Sequence, residues 1–346
     1  METKSQLSDF MKEEVSSKKV SSLFNSKSAN QWMEESKRKP IPKMLFDEFW
    51  NEGELCVLFA DTNQGKSILA VQIAESIASG EAIDQFSIGV KAQRVLYFDF
   101  ELSDKQFEAR YSQELEGSDF YTNHYTFNPN FIRSEINSDC IPNPGDGYND
   151  LLLQSIEKEA KDNRVKVLII DNITYLNSDL EKSKNAGPFM KKLRGLKIES
   201  ELSILVLAHT PKRDMTKPLT FNDISGSKAI SNFIDSAFTI GESQTNKQIK
   251  YLKQIKVRHK EFKYHASNVV VCGINKPKNF LCLQPKYHDH EYEHLKVYQG
   301  KPTDDKAREA RKLKDQGLNN VEIGKELDVS EGMVRKYLKK QIEEEN

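Results

Sequence analysis

The segment Ala60-Asp61-Thr62-Asn63-Gln64-Gly65-Lys66-Ser67 constrains this chain more than any other. It follows a short apolar run, LCVLFA (55–60), and leads into KSILAVQIAESIAS, where Leu69, Ile73 and Ile77 recur at helical spacing and Gly80 supplies a stop. The spacing predicts a strand, a tight loop and a helix over 66–79. At such a junction the backbone N–H groups of the loop and of the helix N-terminus face an anion. The segment fits G-x-x-x-x-G-K-[ST] everywhere but the first place, where Ala60 stands for Gly. Glycine is demanded only where φ is positive, so Ala60 does not forbid the fold. Lys66 is expected to reach the β- and γ-phosphates of a nucleotide and the Ser67 hydroxyl to ligate Mg²⁺, with Asp61, Thr62, Asn63, Gln64, Gly65 and Ile68 completing the turn. ATP and Mg²⁺ are the cofactors this implies. The plainer alternative is a simple βα turn.

Strand-like and helix-like runs alternate from 41 to 300. RVLYFDF (94–100), VKVLII (165–170) and LSILVLA (202–208) read as buried strands, since they lack polar alternation. Helical patterns cover about 103–117, 148–161 and 188–199, the last with Pro188 in its first turn. Residues 119–148 read as irregular. SAFTIGE, QIKYLKQIKV, NVVVC and NFLCL look like later strands of the same sheet. The expectation is an α/β domain, a mostly parallel sheet flanked by helices. Residues 1–40 are rich in Ser and Lys and too poor in apolar residues for a core, so they read as a flexible or loosely helical arm.

Two acidic positions sit at strand ends. Asp171 closes VKVLII, where ligands bind in open α/β sheets, and is expected to hold Mg²⁺ with Ser67. Asp99 lies at the end of the strand RVLYFDF and Glu101 follows it, and either could orient and deprotonate water for phosphoryl transfer. Strand alternation puts both on one face, so spacing does not separate them.

Together these pieces resemble RecA-like ATPases, in particular the hexameric replicative helicases of the DnaB type and the plasmid replication helicases called RepA. The resemblance spans about residues 41–285. A phrase like "FFSLEM" in that group aligns with VLYFDFELS and implies Glu101 as the catalytic base; Arg110 falls where a basic residue lies near the nucleotide base. LSILVLAHT resembles the strand that ends in a γ-phosphate sensor, which implies that role for His209. ISGSKAISNFIDSAF resembles the segment after the family's DNA-binding loop. IKVRHK resembles a K-x-R phrase whose Lys and Arg reach the neighbouring subunit's ATP, which implies trans roles for Lys256 and Arg258 and hence a homo-oligomer, a hexamer in that group. A solvated edge strand would show the same alternation. The first glycine of the phosphate loop and an N-terminal collar domain are the departures.

Net charge is −1, from 51 basic and 52 acidic residues, so any attraction to nucleic acid must come from local patches. The polar loop 211–223 carries Lys212, Arg213 and Lys217, candidates for a single strand's phosphates. Residues 301–346 form a separate all-α unit. Thr303, Asn319 with Glu322, and Ser330 are placed to cap three short helices, with Val321, Ile323, Leu327, Val329, Val334 and Leu338 as a small core. The pattern looks like the helix-turn-helix of resolvases and response regulators. Its third helix would offer Glu331, Arg335, Lys336, Lys339 and Lys340 to duplex DNA, and the alternative is a protein-interaction cap. Cys56, Cys140, Cys272 and Cys282 form no C-x-x-C pair, and free thiols are expected. No apolar run is long enough to cross a bilayer and the first residues lack a signal peptide's apolar core, so a cytoplasmic location is expected. The functional expectation is a DNA-stimulated, helicase- or translocase-like ATPase acting in replication or mobilisation of a plasmid or mobile element. An ATP-switched DNA-binding regulator is the second possibility, and a nucleotide-binding scaffold with a degraded site the third.

Overall fold

A computed structural model describes residues 24–137, 148–172, 183–224, 230–258, 260–296 and 302–339. The chain divides into two units, one ending at Pro42 and one beginning at Lys43. In the first, α1 (Ala29–Lys37) starts at a capping box. Ser28 accepts from the Gln31 amide while the Gln31 side chain accepts from the Ser28 N–H. None of its residues is buried.

The second unit runs β1 (Met44–Phe46), β2 (Trp50–Asn51), β3 (Leu55–Ala60), α2 (Lys66–Ser79), β4 (Val95–Asp99), α3 (Asp104–Arg110), β5 (Gln113–Glu114), β6 (Tyr121–Thr122), β7 (Phe131–Ser134), α4 (Tyr148–Asp162), β8 (Val167–Asp171), α5 (Ser183–Glu199), β9 (Ser203–His209), β10 (Ser236–Glu242), β11 (Ile249–Lys256), β12 (Val269–Asn275), β13 (Cys282–Asp289), α6 (Pro302–Asp315), α7 (Asn320–Glu326) and α8 (Glu331–Lys339). Nine strands form one sheet in the order β13-β12-β11-β10-β3-β9-β8-β4-β7. The six from β10 to β7 are parallel, and β11, β12 and β13 extend the sheet antiparallel. This is the mostly parallel, helix-flanked α/β architecture expected of a RecA-like core.

Both faces of the sheet are covered, which explains the uninterrupted apolar runs. Leu55, Val57 and Phe59 of β3 join a core with Ile156 of α4 and Leu193 of α5. Cys56, Leu58 and Ala60 join another with Leu69, Ile73 and Ile77 of α2 and with Phe46, Phe49 and Trp50. Truncating one such fully buried side chain costs about 2–5 kcal/mol. Register brings the carboxyl ends together: Ala60 pairs with His209 across β3 and β9, and Asp99 with Asp171 across β4 and β8.

Some expectations are corrected. The helix expected over 103–117 ends at Arg110, because Tyr111 turns into the core against Phe107, Phe127 and Phe280, and a short hairpin of β5 and β6 follows. The irregular stretch 119–148 contains β7, an edge strand paired to β4; residues 138–147 lie outside the described residues. Helix α5 begins at Ser183, so Pro188 lies inside it rather than in its first turn. There the missing proline N–H leaves one carbonyl of the opening turn without its helical partner.

In α7 and α8 the expected caps are present, whereas α6 begins at Pro302, so Thr303, expected to cap it, lies inside the helix. Asn319 accepts from the Val321 and Glu322 amides, the Asn319 N–H donates back to Glu322, and Ser330 accepts from Met333. Ala307, Ala310, Ile323, Val334 and Tyr337 are the buried centre, with Leu327, Val329 and Leu338 packed on it. Val321, expected in that core, is 53% exposed instead. A Cβ on Gly324 would lie 2.8 Å from the Val329 carbonyl, so the α7–α8 turn closes on a position that has no room for a side chain.

Candidate active site

The phosphate loop takes its shape from its end residues. Gly65 has φ +92°, and a Cβ there would press on Leu283 and Ile274 at 3.3 and 3.4 Å. Asn63 also has positive φ, a conformation asparagine tolerates. Ala60 keeps extended strand geometry and is fully buried, so glycine is not required there.

Lys66 is 6% exposed and lies along the loop, its Nζ donating to the carbonyls of Ala60 (2.9 Å) and Asp61 (3.0 Å). Burial lowers its pKa, while the charges of Asp171, Glu101 and Asp61 work the other way. Asp171 is fully buried. Tyr97 donates to its Oδ2 at 2.6 Å and Ser67 also hydrogen-bonds the carboxylate, while Oδ1 has no hydrogen-bond partner among the described residues. Burial pushes the Asp171 carboxyl up to about 6 against those two hydrogen bonds. A buried carboxylate with a free oxygen beside the Ser67 hydroxyl fits a hard cation, so Ser67 and Asp171 are the residues that would hold Mg²⁺. The Gly65 turn and the buried Lys66 ammonium likewise fit a phosphate.

The structure separates the two carboxylates at the end of β4. Asp99 is buried; its Oδ1 accepts the amides of Glu101 (3.1 Å) and Leu102 (2.9 Å), and its Oδ2 accepts Arg133 Nε (3.0 Å). Its acceptors are occupied in shaping the turn. Glu101, 35% exposed, stands between Asn172, whose amide donates to it, and His209, whose Nε2 is 3.3 Å away. Asn172 Nδ2 is 2.9 Å from the same His209 nitrogen. The His209 hydrogen bond, outweighing burial, holds Glu101 below the usual carboxylate range, so it is ionised and able to take a proton from water at neutral pH. Arg110 adds to that lowering, and its buried Nη1 has no hydrogen-bond partner among the described residues.

Lys66, Ser67, Glu101, Asp171 and His209 thus converge. Others fall elsewhere. Lys256 donates to the carbonyls of Ser231 (2.6 Å) and Ile234 (2.9 Å), and Arg258 to that of Ile234 (3.1 Å) with Asp235 at 3.4 Å. Because β11 is antiparallel to β10, Lys256 pairs with Ala237 at the end of the sheet remote from the phosphate loop. In the loop 211–223, Lys212 and Lys217 are exposed. Arg213, expected to face nucleic acid, turns inward instead: its side chain is 6% exposed and lies 3.7 Å from Asp61. Arg335 and Lys336 are exposed on α8, Arg335 paired to Glu331 at 2.7 Å. Lys339 ends that helix, and Lys340 lies outside the described residues.

Sequence reasoning missed Asn172, though its place beside an acidic strand end was a signal. It also missed Arg133, for which none existed, and Lys250, whose ammonium reaches Gln64 of the phosphate loop (2.6 Å) and Glu242 (2.7 Å). The cysteines Cys56, Cys272 and Cys282 are free and buried, and burial raises their thiol pKa values. Among the described residues no helix is long and apolar enough to cross a membrane.

A family model described as an AAA domain matches residues 24–215. No curated protein matches the chain. Among solved structures, a KaiC-like protein from the hyperthermophilic archaeon Pyrococcus horikoshii OT3 is similar at 14% identity, covering 70% of this chain and 94% of its own, with a TM-score of 0.47.

Proposed function

The chain belongs to the AAA domain family and is a P-loop ATPase, and from that premise we propose that it is an oligomeric, DNA-stimulated ATP hydrolase of the helicase or translocase kind. Hydrolysis rests on one observation above all, the convergence of Glu101, Asn172 and His209 beside the Lys66, Ser67 and Asp171 cluster of the phosphate loop. Glu101 takes the proton of the attacking water, His209 and Asn172 fix its carboxylate, and Lys66 neutralises charge on the transferred phosphate. Mg²⁺ held by Ser67 and Asp171 would supply charge neutralisation for the phosphates.

Lys212 and Lys217 on the loop after β9 support contact with a single strand, and the exposed Arg335 and Lys336 of α8 support contact with duplex DNA through a helix-turn-helix. Lys256 and Arg258 complete a neighbour's site in a ring, a hexamer on the family analogy. Replication or mobilisation of a mobile element is the setting this analogy favours. The α6–α8 unit also favours a second reading, an ATP-switched DNA-binding regulator that hydrolyses ATP without unwinding.

The test is steady-state ATP hydrolysis by the full chain with no DNA, single-stranded DNA or duplex, beside Glu101→Gln. Single-strand stimulation that is lost in Glu101→Gln, together with strand displacement in an unwinding assay, supports the translocase. Duplex-only stimulation without displacement supports the regulator. Turnover indifferent to DNA removes both.

A further inference from the structure

Arg213 is out of keeping with the loop that carries it. Its neighbours Lys212 and Asp214 are exposed, as a solvated loop requires, yet the Arg213 side chain is 94% buried by its 6% exposure. Its Nη1 donates to the Lys217 carbonyl at 3.0 Å, and its buried Nε has no hydrogen-bond partner among the described residues. The Asp61 carboxylate lies 3.7 Å from Nε, close enough for charge attraction and too far for a hydrogen bond. A buried guanidinium donor left unpaired is costly, so such a group calls for a partner.

The surroundings say which. Asp61 is the first residue of the phosphate loop, and the carbonyl of that same residue receives Lys66 Nζ. The segment after β9 runs beside this loop, since the Thr210 amide donates to the Ala60 carbonyl at 3.2 Å. His209 Nδ1, Thr210 Oγ1 and Arg213 Nε, three polar atoms of one five-residue stretch, are all buried without partners among the described residues. A carboxylate beside a phosphate site repels its ligand; an Arg beside it is attracted to whichever anion is nearer.

We infer that Arg213 senses the terminal phosphate of a nucleoside triphosphate bound in its own subunit, exchanging Asp61 for the γ-phosphate oxygens. The guanidinium fork suits phosphate better than a single carboxylate oxygen at 3.7 Å. Arg213 then distinguishes ATP from ADP in cis. The loop 211–223 is fixed at its far side, where the Leu219 amide donates to buried Glu291 at 2.7 Å, so a shift of Arg213 is felt within the segment bearing Lys212 and Lys217. The inference rests on the nucleotide site and not on the DNA reading.

Equilibrium titration of the full chain with fluorescent ADP and a fluorescent non-hydrolysable ATP analogue, in Mg²⁺ and without DNA, tests it. Arg213→Ala is expected to weaken the ATP analogue about ten- to hundredfold while ADP stays within about twofold. Arg213→Lys should recover part of the loss, and Arg213→Gln, which keeps a donor for the Lys217 carbonyl, should lose the preference like Arg213→Ala. Asp61→Asn frees the guanidinium and is expected to retain or sharpen the preference for the triphosphate. Equal loss for both nucleotides, no loss for either, or an Asp61→Asn that copies Arg213→Ala would show a structural ion pair and overturn the inference. A wild-type chain that binds neither nucleotide overturns it together with the site. Because DNA is absent, failed DNA stimulation leaves this result unaffected.

Discussion

Two carboxylates two residues apart do different work here, and burial decides which does what. Asp99 spends its oxygens on two backbone amides and Arg133, so Asp99→Ala uncaps the turn and removes the acceptor of Arg133 Nε, while Asp104 and the Leu102 carbonyl still hold the guanidinium. A stability loss of about 1–3 kcal/mol is expected, read as a lower urea midpoint. Glu101→Gln keeps size and hydrogen bonds but not basicity. Its kcat should fall about 10²- to 10⁴-fold while ATP affinity measured by titration changes little. The pH dependence follows in sign. His209 stabilises the ionised Glu101, so its folded pKa lies below the unfolded one. That contribution to stability is present above the unfolded pKa and is lost as pH falls through the folded value. In a pH–rate profile the acid limb set by Glu101 should lie below the ordinary carboxylate range. In His209→Ala it should move to higher pH; an unmoved limb would mean that His209 does not set it.

At the scale of elements, the phosphate loop shows why a relaxed motif was readable. The buried strand, the positive-φ glycine and the helix each left a local pattern: apolar run, Gly65-Lys66-Ser67, and period 3.6. Ala60→Gly should therefore leave hydrolysis within about twofold, since no positive φ is relieved. Gly65→Ala meets both a left-handed φ and the Leu283 and Ile274 methyls, and should weaken nucleotide binding by at least about tenfold, about 1–2 kcal/mol of backbone strain. Titration with a fluorescent nucleotide measures both. What stayed illegible was decided by distant partners. The polar run after Arg110 has helical character, yet Tyr111 is drawn into an aromatic cluster with Phe280, some 170 residues on. Strand β7 is four residues of partly buried FIRS whose only claim to be a strand is an open sheet edge beside β4. The inward turn of Arg213 brings it to Asp61 at the end of the adjoining strand β3, some 150 residues away in sequence, and so its local context pointed outward.

For the whole molecule the question is whether one chain holds a complete site. Lys256 and Arg258 lie at the end of the sheet away from their own phosphate loop, engaged with the carbonyls of Ser231 and Ile234 and with Asp235. Those bonds alone would make them struts of the β10–β11 edge, and Arg258→Ala would then cost stability and leave turnover per folded site unchanged. A finger acting on a neighbour makes a different demand. Arg258→Ala should lower kcat about 10³-fold or more with nucleotide affinity little altered, the scale of a missing arginine finger. Mixing then separates the two cases. An assembly of Arg258→Ala and Glu101→Gln chains contains interfaces where an intact Glu101 meets an intact Arg258 from the adjoining chain. Turnover of the mixture above the sum of the separate variants is expected if the site is shared. Turnover equal to that sum assigns both residues to their own subunit, and with it removes the reason the K-x-R phrase gives for a ring.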